Sequence, residues 1–127
     1  MVEGGGRFIE NLVFSGFRQS DYVKTAKNSE LAGFDEKYFQ NFFEATTIPT
    51  SGDAWNNSIK YSDAVVYGVG AKVHEILISL KGPNTLISFI SDVAKTGNFA
   101  ASFENRYGIS WNAAEPLIAK YVYDSSR

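Results

Sequence analysis

Few side chains in this sequence could act in catalysis or bind a metal, and the first to consider is a single histidine. His74 is the only histidine among 127 residues, and the chain has no cysteine. A zinc site with two imidazole ligands, a thiolate zinc site, an iron–sulfur cluster and a cysteine nucleophile are therefore excluded within these residues. A serine-histidine-aspartate arrangement would have to use His74.

His74 has both a structural and a catalytic interpretation. Glu75 follows it directly, and adjacent residues of a helix point in different directions, so the two are not an obvious acid–base pair. A lone histidine in a helix is more often a surface residue or a satisfied core residue, and the sequence favours this interpretation. The alternative is a metal-free enzyme in which His74 acts with a nearby carboxylate.

Two further patterns suggest ligand sites but lack the context that such sites need. Gly4-Gly5-Gly6 is glycine-rich, yet a phosphate-binding loop also requires a preceding strand and a lysine with serine or threonine in register. The aspartates that could serve a cation do not have the spacing of a calcium-binding loop. These aspartates are Asp53, Asp63 and Asp92.

A phenylalanine-rich segment also has two interpretations. Phe39, Phe42 and Phe43 fall on one side of a helix that Asp35 would cap. The spacing predicts that they belong to the core, which 10 Phe, 7 Tyr and 2 Trp can fill without disulfides. The alternative is that they form an exposed docking face for a partner helix.

The elements that would position these residues are all helical. Apolar side chains recur at helical spacing, and no segment alternates with period two before a hairpin turn. We predict an all-α fold, a compact bundle of about six or seven helices joined by short turns, with Leu80 and Leu117 in the apolar stripes. Pro116 is expected to kink or divide the last helix. The predicted helices span residues 7–17, begin at Ser20, Asp35, Ser62, Pro83, Asn98 and Ser110, and end at glycines including Gly82, Gly97 and Gly108.

Length and charge limit the classes of partner. We predict that residues 1–127 form a single helical domain, because the length is typical of one domain. The formal net charge of −2 argues against nucleic acid as a partner. The chain lacks an apolar run of about 20 residues, so no membrane span or membrane partner is expected. The predicted protein is soluble, and a cytoplasmic and a periplasmic or secreted location both stay open.

The first residues carry a family resemblance. Glu3-Gly4, followed by Phe8-Ile9-Glu10, resembles the E-G-x-A-x-aromatic-x-E helix of gluzincin zinc metallopeptidases. In that family the first glutamate of this motif is the third zinc ligand, beside two histidines of an H-E-x-x-H helix. The resemblance therefore implies that Glu3 is a zinc ligand. Gly6 is a departure, since the family usually has alanine there.

The rest of the chain extends the resemblance. Tyr67 to Val73 is similar to the Y-x-x-G-A-x-V segment of aminopeptidase-like gluzincins, in which the tyrosine stabilises the oxyanion of the tetrahedral intermediate. By resemblance, Tyr67 takes that role. The later segments resemble the helical C-terminal half of peptidase-MA-like domains, where a short phenylalanine-rich helix precedes a tryptophan-containing one. These segments are Leu80–Pro83, Leu86–Ile90, Gly97–Phe103 and Tyr107–Ser110.

The resemblance implies the C-terminal helical half of a gluzincin metallopeptidase domain without its H-E-x-x-H helix. We therefore expect no peptidase activity from these residues alone and no cofactor in this chain, with zinc in an intact parent that hydrolyses peptide bonds. The apolar face at residues 8–17 would lack its partner layer, which predicts a homodimer. A second hypothesis is a small helical protein–protein interaction module, motivated by the aromatic residues.

Overall fold

The computed structural model describes residues 31–47 and 60–127, and these residues form four helices. The helices are α1 (Glu36–Thr47), α2 (Asp63–Thr96), α3 (Phe99–Tyr107) and α4 (Trp111–Ser125). No strand occurs within these two ranges, so the all-α prediction is confirmed for them. The helices predicted at residues 7–17 and after Ser20 lie outside the described residues, as does the full count of six or seven.

Polar side chains begin the helices where the sequence predicts. In each case a side-chain oxygen accepts a hydrogen bond from a backbone N–H three residues later, at 2.8 to 3.4 Å. Such caps satisfy amides that have no partner inside the helix, and each typically stabilises it by about 1 kcal/mol. The four capping residues are Asp35, Ser62, Asn98 and Ser110.

The long helix α2 contains a break at the predicted glycine–proline pair. Gly82 has φ 79° and ψ 169°, which no helical residue adopts, and Pro83 opens the helix that continues beyond it. We call residues 63–81 the first segment of α2 and residues 83–96 its second segment. Gly97 and Gly108 end α2 and α3 in the left-handed conformation, also as predicted.

Of the two outcomes expected at Pro116, a kink or a division of the last helix, the structure excludes the division. The helix runs from Trp111 to Ser125 with Pro116 inside it. A proline at this position removes the hydrogen bond to the carbonyl of Asn112. Asn112 and Pro116 are both exposed, so water can serve that carbonyl and the packing of the opposite face keeps the helix continuous.

Aromatic side chains from all four helices form the core. Phe39, Phe42 and Phe43 of α1 are buried, which confirms their core assignment and excludes the exposed docking face. Trp111 at the start of α4 packs edge-to-face against Phe43, with ring centroids 5.9 Å apart. It also contacts Phe103 of α3 at 5.1 Å.

An ion pair joins the second segment of α2 to α3. The Arg106 Nε donates to one oxygen of Asp92 at 2.5 Å, and Nη2 donates to the other at 3.1 Å. The hydrogen bonds from Arg106 hold the pKa of the Asp92 carboxyl below its usual value. This bidentate geometry fixes the orientation of the short helix α3 relative to the segment that precedes it.

We expect Gly82→Ala to destabilise the protein by about 1 to 3 kcal/mol, because an L side chain is strained at this φ and ψ. A Cβ at Gly82 would meet no atom within 4 Å, so the cost would come from the backbone alone. Gly33→Ala is the matched control, since Gly33 has equal space and no positive φ. Urea denaturation measures both variants, and equal midpoints would contradict this account of the break.

Candidate functional site

An apolar cleft of about 340 Å³ opens between α2, α3 and α4. Its volume lies within the range of small-molecule sites, which are usually apolar with a few polar groups. The first segment of α2 contributes one wall, α3 another, and α4 with the turn before it the third. The lining side chains are Ile76, Leu80, Lys81, Phe103, Tyr107, Ile109, Ala114, Leu117, Ile118 and Tyr121.

Large apolar side chains at the rim of the cleft are exposed. Leu80 is 62% exposed, Leu117 is 65% exposed and Ile109 is 38% exposed. The periodicity of their helices places Leu80 and Leu117 in apolar stripes, and the structure leaves both side chains largely exposed. Contiguous exposed apolar surface of this kind marks binding sites in many proteins.

One end of the cleft carries a cation. Lys81 is exposed, and its Nζ donates to the backbone carbonyl of Arg106 at 3.3 Å. Within residues 31–47 and 60–127, no carboxylate lies within ion-pair distance of Lys81. Among the described residues, the charge of Lys81 is therefore balanced by the partial negative charge at the carbonyl end of α3 alone.

A polar cluster includes one of the residues that line the cleft, Tyr121. The Tyr121 hydroxyl donates a short hydrogen bond to Oε1 of Glu75, and the other carboxylate oxygen is 3.7 Å from Nζ of the buried Lys72. Burial and the hydrogen bond to Glu75 both raise the pKa of Tyr121. At neutral pH the tyrosine of this cluster is therefore protonated and can donate to Glu75.

His74 has the structural role that the sequence favours. Its ring is buried, and Nδ1 lies 2.8 Å from the carbonyl oxygen of Gly70, to which it donates when that nitrogen carries the proton. Burial lowers the pKa of His74, which keeps the imidazole neutral at pH 7. The carboxylate of Glu75 contacts Lys72 and Tyr121.

Of the two residues predicted from the metallopeptidase resemblance, Tyr67 lies in the described part of the chain. Tyr67 is half-buried near the start of α2, and the described contacts include no hydrogen bond to its hydroxyl. Glu3 lies outside the described residues. Among residues 31–47 and 60–127, no group of three histidines, aspartates or glutamates could hold a metal ion.

Comparisons with family models, with curated proteins and with solved structures find no match to this chain. The helices in the described ranges include none with the length and apolar character required to cross a membrane. The function therefore has to be inferred from the residues and their geometry.

Sequence reasoning missed the cleft and the residues that give it polarity. Lys72 and Glu75 are three positions apart on one helix, and this spacing could have indicated their ion pair. Tyr121 is 46 positions beyond Glu75, and no local pattern links them. Lys81 appeared only as a residue near the end of a helix, and nothing in its neighbours indicated that it lines a cleft.

Two tyrosines on the cleft should respond in opposite ways to loss of the hydroxyl. The Tyr107 hydroxyl is buried and has no hydrogen-bond partner in the described structure, so we expect Tyr107→Phe to stabilise the protein by about 1 kcal/mol. Tyr121→Phe removes the donor to Glu75, and we expect it to destabilise by about 1 kcal/mol. Thermal unfolding of the two variants tests this, and a shift of the same sign in both would refute it.

Proposed function

We propose that this chain is the helical C-terminal part of a gluzincin-type zinc metallopeptidase, or a degenerate relative of one, and that it has no peptidase activity by itself. The observation that carries the proposal is the order of elements after Tyr67. A long helix bearing Tyr67 is followed by the break at Gly82, the short helix α3 that ends at Gly108, and a helix that begins at Trp111. This order supports the resemblance, which requires those helices in that succession.

Each proposed role depends on a different chemical group. Glu3 would provide a carboxylate ligand to zinc, and catalytic zinc sites generally have three protein ligands and an open position for water. The zinc ion would activate that water for attack on a peptide carbonyl. Tyr67 would donate a hydrogen bond to the oxyanion, and its half-buried hydroxyl has no competing partner in the described contacts.

The proposal requires an H-E-x-x-H helix from outside these 127 residues. The test is to read the genomic frame upstream of Met1 and to express the complete product. We expect that motif about 20 residues before Glu3, by the family's arrangement, and one zinc ion bound per chain. Glu3→Gln should reduce the bound zinc, since a ligand is lost.

Tyr67→Phe in the same product should lower kcat by about 10² to 10³ and leave the zinc content unchanged, as expected for loss of one oxyanion donor. Cleavage of quenched fluorescent peptides measures kcat, and elemental analysis measures zinc. Tyr123→Phe is the matched control, because Tyr123 is also half-buried but lies on α4. A complete gene without H-E-x-x-H would favour the degenerate relative, and a zinc-binding product with full activity in Tyr67→Phe would refute the role of Tyr67.

The exposed apolar rim favours a second candidate function, a small helical protein–protein interaction module. Leu80, Ile109 and Leu117 form a patch of a kind that partner proteins cover. Self-association is the simplest form of this function, and the homodimer predicted through residues 8–17 stays a prediction. Sedimentation at high concentration distinguishes a dimer through the cleft from a dimer through residues 8–17. Leu117→Glu would dissociate the first dimer and leave the second intact. A monomer at all concentrations would contradict both dimers.

A further inference from the structure

We propose that the cleft between α2, α3 and α4 binds a small amphipathic carboxylate, with its anionic head at Lys81 and its aliphatic tail along Leu80 and Leu117. This ligand site is independent of the metallopeptidase proposal, because it uses neither Glu3 nor Tyr67. Three features support the ligand site: the apolar lining of the cleft, the exposed side chains at its rim and the position of Lys81 among them.

The walls of the cleft fit an aliphatic chain. Ile76 and Ile118 line it together with the exposed Leu80, Ile109 and Leu117. A cleft of about 340 Å³ lies in the volume range of sites that hold small molecules, which admits a medium-length aliphatic chain. The tail would cover apolar side chains that the described residues leave exposed to solvent.

The charge of Lys81 determines where the anionic head of the ligand lies in the cleft. Lys81 has no carboxylate partner in the described structure and retains two of its three ammonium donors after the bond to Arg106. Glu75 lies about 9 Å away along the helix axis, at a rise of 1.5 Å per residue. Glu75 already pairs with Lys72 and accepts from Tyr121, whereas Lys81 has ammonium donors to spare, so the anionic head is directed toward Lys81.

The same charges argue against a cationic ligand. A cation would have to bind at Glu75, but this carboxylate already accepts from Tyr121 and pairs with the buried Lys72. Binding there would displace an internal partner, whereas binding at Lys81 requires no such exchange.

The experiment is a calorimetric titration of the full chain with decanoate below its micelle concentration, compared with decanol and decyltrimethylammonium. We expect saturable one-to-one binding of decanoate that is at least tenfold tighter than binding of the ammonium compound. Octanoate and dodecanoate should bind about tenfold more weakly and about tenfold more tightly than decanoate, because each buried methylene contributes about 0.8 kcal/mol. Unchanged circular dichroism during the titration shows that the ligand does not unfold the protein.

Two variants separate the head from the tail. Lys81→Gln should weaken decanoate binding at least fivefold and leave decanol binding unchanged, whereas Lys95→Gln, at an exposed lysine on the same helix but outside the cleft, should change neither. Leu117→Glu should weaken binding of both ligands, and it is expected to fold because Leu117 is exposed. The proposal is overturned by an absence of saturable binding, by equal affinity for the ammonium compound, or by unchanged decanoate affinity in Lys81→Gln.

Discussion

The arrangement of the described helices depends on edge-to-face packing around Trp111. The indole is buried at the start of α4, and its ring centroid lies 5.9 Å from Phe43 of α1 and 5.1 Å from Phe103 of α3. Phe103 in turn contacts Phe89 of the second segment of α2 at 5.7 Å. One chain of aromatic contacts therefore connects all four helices. Each such ring buries a large apolar surface in a preferred geometry, so displacement of one helix would disturb the packing of the others.

The break at Gly82 determines which side chains of α2 pack into the core and which line the cleft. A straight helix of this length would continue in one direction from Asp63, but the positive φ of Gly82 redirects the chain before Phe89 joins the aromatic cluster. The bidentate Asp92–Arg106 pair then holds the redirected segment against α3. Leu80 and Lys81 precede the break directly and line the cleft instead of packing under another helix. The same backbone feature that completes the core thus contributes to the candidate binding site.

The proposed metallopeptidase role of Tyr67 and the proposed ligand site in the cleft concern separate parts of the first segment of α2. Tyr67 lies one turn into the helix, whereas the residues of this segment that line the cleft are Ile76, Leu80 and Lys81 near its C-terminal end. Between them, the buried Lys72 and the neutral His74 are satisfied by Glu75 and by the carbonyl of Gly70. A buried, internally paired group stabilises its surroundings and is unavailable to substrate. His74 therefore has the structural environment that the sequence favours, and the two proposals concern residues at the two ends of the segment.

The sequence by itself determined the features that depend on near neighbours in the chain. Capping at Ser62, Asn98 and Ser110 and the break at Gly82 could all be predicted, because a cap or a positive φ is specified within three or four residues. Tertiary structure alone decided that Leu117 is exposed and that Pro116 is tolerated, since an apolar stripe can be wider than the surface available to cover it. It also decided the contact between Glu75 and Tyr121. Their meeting requires two helices to pack at one particular angle and register, and that geometry is set by the aromatic core as a whole.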